Sequence, residues 1–130
     1  MVLKSVTRSV LIIDDDAFDS SIIKNCILSC ESDIAVFEEH DSTIAVFKFL
    51  EIEPDLTLID ISMPHLDGFR VLEKLAPIVK ATPSRVIMLS GSTNAYDRLK
   101  SLQLGADDYK VKPSEMASYR NLAKELLYTL

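Results

Sequence analysis

Leu11-Ile12-Ile13-Asp14-Asp15-Asp16 decides the fold: an apolar run, begun at Val10, stops abruptly at consecutive carboxylates. The same event recurs downstream. Leu56-Thr57-Leu58-Ile59 ends at Asp60, and Tyr109-Lys110-Val111 ends at Lys112-Pro113. Short, nearly all-apolar runs suit strands buried on both faces of a parallel sheet. In an open α/β sheet, ligands bind in the crevice beyond the carboxyl ends of the strands, so charges at three strand ends converge on one site. Clustered carboxylates beside a lysine suit a hard divalent cation and a phosphoryl group.

Outward from these stretches, the chain alternates regularly. Strand-like runs at 10–14, 34–38, 55–60, 85–90 and 106–111 are each followed by a helix-like stretch, at 17–30, 42–52, 68–80, 95–104 and 114–130. Successive βα units call for a parallel sheet with helices on both faces, joined by right-handed crossovers. Gly68 opens a helix, Gly91 follows a strand, and Gly105 falls where a helix C-cap belongs. Pro77 lies inside the third helical pattern, which it should kink or end early. In the last helix Met116, Tyr119, Ala123, Leu126 and Leu130 recur at the spacing of a core-facing stripe. Without a linker, low-complexity segment or internal repeat, the expectation is a single domain over 1–130.

Composition narrows the class. The 130 residues are 48% hydrophobic and 26% charged, the profile of one soluble globular domain with a real core. A net charge of −6 argues against direct nucleic-acid binding, which relies on basic surface. No apolar run reaches bilayer length, and Met1 to Arg8 lacks the apolar core of a secretory signal; a cytoplasmic protein is expected. Cys26 and Cys30 match neither a redox nor a zinc spacing and read as reduced packing residues. His40 and His65 read as solvent-exposed turn residues.

Each candidate site residue has a bland alternative. Asp16, directly before a helix, reads as its N-cap, but one cap does not explain Asp14 and Asp15 together. Asp60 brings a third carboxylate to the same mouth, and like charges held close raise one another's pKa unless a cation neutralises them. Mg²⁺ (or Mn²⁺) suits such oxygen ligands. An aspartate placed there also serves as a nucleophile that forms an aspartyl phosphate, whereas Asp67 better fills the role of the next cap. Lys112 sits at the mouth, where its ammonium binds phosphate as a point charge, and Lys110 reads as solvated. Its X-Pro bond to Pro113 is a cis-peptide candidate. Ser90, after Val86-Ile87-Met88-Leu89, offers a hydroxyl to a phosphoryl oxygen.

Along essentially its whole length the chain resembles a response-regulator receiver domain of two-component phosphorelay signalling. The motifs are Leu11-Ile12-Ile13-Asp14-Asp15-Asp16, Asp60-Ile61-Ser62-Met63-Pro64-His65-Leu66-Asp67-Gly68, Leu89-Ser90-Gly91, and Gly105-Ala106-Asp107-Asp108-Tyr109-Lys110-Val111-Lys112-Pro113. The resemblance implies a flavodoxin-like (βα)5 fold, doubly wound, with strand order 2-1-3-4-5. It implies Asp60 as phosphoacceptor, metal held by Asp14, Asp15, Asp60 and the Ser62 backbone carbonyl, phosphoryl contacts from Ser90 and Lys112, and Tyr109 as a switch residue coupled to Ser90. Also implied are a histidine kinase or histidine phosphotransfer protein as donor, and a downstream protein or output domain as target. That target meets a surface of the fourth helix, fifth strand and fifth helix. Ser62 and Ser92 stand at the two positions that influence decay of the phosphate in this family; both are small, so neither is expected to exclude water by bulk.

The usual acidic and basic dimer contacts are not evident around Ser118 and Leu122, so a monomer or weak dimer is expected. The apolar Leu126-Leu127-Tyr128 tail is compatible with a receiver cut from a longer regulator. Two rivals remain. A phosphohydrolase of the haloacid-dehalogenase type also uses an aspartate nucleophile and Mg²⁺, but requires a second aspartate two residues on, where Ser62 stands after Asp60; after Asp14 that position is Asp16, but no substrate cap is evident. A purely structural interaction module gives no reason for Lys112 to meet three aspartates.

Overall fold

The computed structural model describes residues 7–130. Met1 to Val6, most of the stretch read for a secretory signal, lie outside the described residues. Strands β1 (Ser9–Ile13), β2 (Ala35–Glu39), β3 (Leu56–Ile59), β4 (Arg85–Ser90) and β5 (Asp108–Val111) alternate with helices α1 (Ala17–Cys30), α2 (Ala45–Ile52), α3 (Gly68–Val79), α4 (Ala95–Gln103) and α5 (Met116–Tyr128). A 3₁₀ turn, Ser42–Ile44, leads into α2. The strands form one parallel sheet in the order β2-β1-β3-β4-β5, the doubly wound architecture expected from the alternation.

β1 and β3 are central and apolar because both their faces are covered. Leu11, Ile13 and Ile59 pack with Val71, Leu72 and Leu75 of α3 and Ala45 and Phe49 of α2. Val10, Ile12 and Leu58 pack on the other face with Ile23 and Ile27 of α1 and Tyr119, Leu122, Ala123 and Leu126 of α5. Alternate residues of each strand thus serve opposite layers. Cys26 and Cys30 are free and pack, half-buried, against this second layer.

Three expectations shift. Met116 is 63% exposed, so the buried stripe of α5 begins at Tyr119 and takes in Leu122 rather than the helix's first residue. Pro77 does not stop α3, which continues to Val79; the proline sits in the last turn, where Lys80 N–H still donates to Ala76 O at 3.0 Å. Ile34 is buried but precedes β2, because pairing with β1 begins at Ala35, opposite Ser9. Gly105 behaves as expected: it follows α4 with φ +111°, a left-handed conformation strained for any residue with a Cβ.

Register places the site. Ile13 lies opposite Glu39 on one side and Ile59 on the other, and Ser90 lies opposite Val111. The ladder continues one step beyond the strands: Asp14 N–H donates to Glu39 O, Asp60 N–H to Ile13 O, and Lys112 N–H to Ser90 O at 2.7 Å. Asp14, Asp60 and Lys112 are therefore fixed in backbone before their side chains make any contact.

Candidate active site at the carboxyl edge of the sheet

Asp14, Asp15 and Asp60 each present a carboxylate oxygen, all within 4.8 Å of one another. Asp14 and Asp60 are buried and Asp15 is exposed. Lys112 Nζ donates to Asp14 Oδ2 at 2.8 Å and to Asp19 Oδ2 at 3.1 Å, and stands 3.6 Å from Asp60 Oδ1. The other Asp14 oxygen accepts the Asp16 N–H at 2.9 Å. Asp16 caps α1, accepting from the N–H groups of Phe18 and Asp19, and Asp67 caps α3, accepting from Arg70 N–H, as the sequence indicates.

Electrostatics follow from burial. Loss of water pushes the Asp60 carboxyl up to about 6; the charges of Asp14 and Asp15 add to this, against the pull of Lys112. Burial raises Asp14 too, despite hydrogen bonds from Lys112 and the Asp16 N–H. Burial alone would lower the Lys112 ammonium, but Asp14, Asp60 and Asp19 together reverse this and raise it. The site thus holds more negative charge than its one lysine balances. A hard cation with oxygen preference fits this donor set.

The surrounding residues shape a cleft of about 500 Å³, bordered by Asp15, Asp19, Ser62, Ser90, Ser92 and Asp97 among others. Ser90, buried at the end of β4, accepts the Ser92 N–H through Oγ at 3.3 Å. Ser92 Oγ donates to Asp97 Oδ2 at 2.7 Å. Tyr109 is buried, with its hydroxyl donating to the Ser92 carbonyl at 2.6 Å. Gly68 packs against the backbone of Asp60: a Cβ there would meet Asp60 O at 2.1 Å. That close approach is the reason for a glycine at the start of α3.

Asp14, Asp15, Asp60, Ser62, Ser90 and Lys112 lie at this edge, and Tyr109 reaches it through its bond to the Ser92 carbonyl; one expectation is corrected. The Lys112–Pro113 peptide is trans, as is every peptide bond among the described residues. The trans form is the lower-energy isomer, and Lys112 is already aimed by its backbone bond to Ser90 and its carboxylate partners. Asp19 was not foreseen. An acidic residue in a helix's first turn reads as dipole complement, although one turn beyond Asp15 and Asp16 its side chain returns to their side of α1. Asp97 was missed for the same reason. His40, exposed as expected, nevertheless lies 3.2 Å from Ser20 Oγ and 3.6 Å from Glu38 Oε1.

Known proteins share this fold and much of this sequence. The family profile described as "Response regulator receiver domain" matches residues 10–124. A protein-glutamate methylesterase/protein-glutamine glutaminase of Thermotoga maritima is 38% identical over 122 residues, which are 91% of this chain and 35% of that protein. The chemotaxis protein CheY of Listeria monocytogenes is 37% identical over 105 residues, 80% of this chain and 85% of that one. The crystal structure of the response regulator domain of Thermotoga maritima CheB superposes with a TM-score of 0.77 at 34% identity, covering 95% of this chain and 92% of that one. The chain spans 35% of the length of the methylesterase, and most of the length of the chemotaxis protein.

Proposed function

The chain belongs to the response regulator receiver domain family of two-component signalling, and from that premise we propose that it works as one receiver unit whose phosphoacceptor is Asp60. The carrying observation is that Asp60 stands at the end of β3 within reach of Lys112 and of the Asp14–Asp15 pair. Asp14, Asp15 and Asp60 would hold Mg²⁺ (or Mn²⁺), joined by the Ser62 backbone carbonyl. When bound, that ion supplies neutralisation of charge on the phosphoryl oxygens.

In the transfer step an Asp60 Oδ forms a bond to phosphorus while the P–N bond of a phosphohistidine breaks. The departing imidazole nitrogen keeps the bonding pair and takes up a proton. Lys112 offers an N–H to a phosphoryl oxygen, and Ser90 offers its hydroxyl to another. Little further covalent work is required of the protein, because positioning and charge carry most of such reactions. The reaction is stoichiometric: water later cleaves the acyl phosphate, and Ser62 and Ser92 are too small to exclude it. A haloacid-dehalogenase-type hydrolase is not favoured, given the family match over residues 10–124 and Ser62 in place of the second aspartate.

The donor would be a histidine kinase or histidine phosphotransfer protein. The output surface would be α4–β5–α5, where Tyr96, Leu99, Leu102 and Val111 are exposed and Tyr109 links the face to the cleft. A downstream protein or output domain is the corresponding target, with the chain acting as monomer or weak dimer in the cytoplasm. Among the described residues no helix is long and apolar enough to cross a membrane. The test is intact mass after incubation with Mg²⁺ and phosphoramidate, beside Asp60→Asn. One added phosphoryl group, absent from the variant and lost on hydrolysis, is the expected result; an equal gain in the variant would sink the assignment of Asp60.

A further inference from the structure

We propose that Asp19 is a positioning residue that competes with the phosphoryl group for Lys112 and so slows phosphorylation of Asp60. The inference rests on the phosphoacceptor reading above and concerns a residue outside the candidate metal triad of Asp14, Asp15 and Asp60.

An ammonium has three N–H donors. In this structure Lys112 directs one to Asp14 at 2.8 Å and one to Asp19 at 3.1 Å, whereas Asp60 lies at 3.6 Å, outside hydrogen-bond range. The lysine is thus held nearer the α1 side of the cleft than the residue it must assist. A phosphoryl group on Asp60 brings new oxygens that require this ammonium. Its third N–H is free, but Nζ stands 3.6 Å from Asp60, so the ammonium must move toward that side and stretch one of its two existing contacts. Asp14 faces the metal position, and sharing its charge with a cation weakens its hold on the lysine. Asp19 has no such outlet and remains the competitor.

Asp19 is suited to that part and to no evident structural one. Asp16 supplies the α1 cap, and no side-chain hydrogen bond of Asp19 other than that from Lys112 is found among the described residues. Its side chain is 33% exposed against 13% for Lys112, so removing it leaves no buried charge behind except a lysine that still has Asp14.

The test compares wild type, Asp19→Asn and Asp16→Ser for the initial rate of phosphoryl gain from phosphoramidate at saturating Mg²⁺. Asp16→Ser removes the same unit of charge from the same cleft and keeps a capping hydroxyl. Asp19→Asn is expected to react about twofold to fivefold faster, the range set by a partly exposed ion pair, with Asp16→Ser close to wild type. Equal or slower reaction of Asp19→Asn overturns the proposal. Equal acceleration in both variants also overturns it, because the effect is then general repulsion of the anionic donor. Nitrogen-15 NMR of the Lys112 ammonium gives a readout independent of phosphorylation: its signal should shift in Asp19→Asn and stay in place in Asp16→Ser. An unmoved signal in Asp19→Asn refutes the hold on the lysine even where no variant is phosphorylated, whereas a wild type that takes no phosphoryl group counts against the phosphoacceptor reading alone.

Discussion

Asp60 concentrates the site's energetic conflict in one side chain. Its carboxyl is raised to about 6, first by burial and then by its acidic neighbours, so the ionised form is disfavoured in the folded protein. Between about pH 4 and 6 the native state binds more protons than the unfolded chain, and stability of the metal-free protein therefore falls as pH rises through that window. Asp14, raised in the same direction, adds to the slope. Asp60→Asn should remove the larger part of it and stabilise the metal-free protein at pH 7 by about 1–3 kcal/mol. Lys112 keeps Asp14 and Asp19 in that variant. Urea unfolding of both proteins in EDTA at pH 4 and pH 7 checks the sign: the gap should be wide at pH 7 and narrow at pH 4.

At the scale of elements, α3 and β3 are coupled through a contact that has no slack. Gly68 opens α3 directly against the backbone of Asp60 and Ile61, and its N–H donates to Ile61 O at 2.8 Å. Gly68→Ala forces the helix start or the loop after β3 to shift, a cost of about 1–3 kcal/mol by the usual measure of overpacking. On the proposed function it should also slow phosphorylation, because the displaced backbone belongs to Asp60; chemical denaturation and the intact-mass assay read the two effects separately. β3 holds the opposite kind of opportunity. Thr57 Oγ1 is fully buried and has no hydrogen-bond partner among the described residues, so Thr57→Val should stabilise by about 1 kcal/mol or more, visible as a raised denaturation midpoint. β-branching is kept, so strand preference is not disturbed.

Across the whole molecule, the proposed cation binding at the site's excess negative charge would be linked to global stability. A ligand that binds only the folded state stabilises by mass action, by about 2.7 kcal/mol at a hundredfold excess over its dissociation constant. Melting temperature should rise with Mg²⁺ and fall back on chelation. Asp15→Asn should blunt the rise at little cost in the metal-free protein, since Asp15 is exposed. Scale also explains what was legible in the chain. Leu11-Ile12-Ile13 and Leu56-Thr57-Leu58-Ile59 announced central strands because burial on both faces leaves no room for polar alternation, and their abrupt acidic ends announced the site. Asp19 and Gly68 stayed silent for a shared reason. Their roles depend on which distant atom lies opposite, Lys112 in one case and the Asp60 backbone in the other, and local pattern carries only the generic cap or turn. Met116 misled in the reverse direction: it keeps the apolar period of α5 but falls at the helix's first residue, beyond the edge of the layer it would cover.

The tie between Tyr109 and residue 92 is made to the main-chain oxygen, while the Ser92 side chain turns to Asp97. A carbonyl is the same atom whichever amino acid bears it. On the proposed function, mutation at position 92 can therefore lengthen or shorten the life of the phosphate without cutting the connection to the far surface. How long a message lasts and where it is delivered become separately heritable traits, each open to selection without disturbing the other.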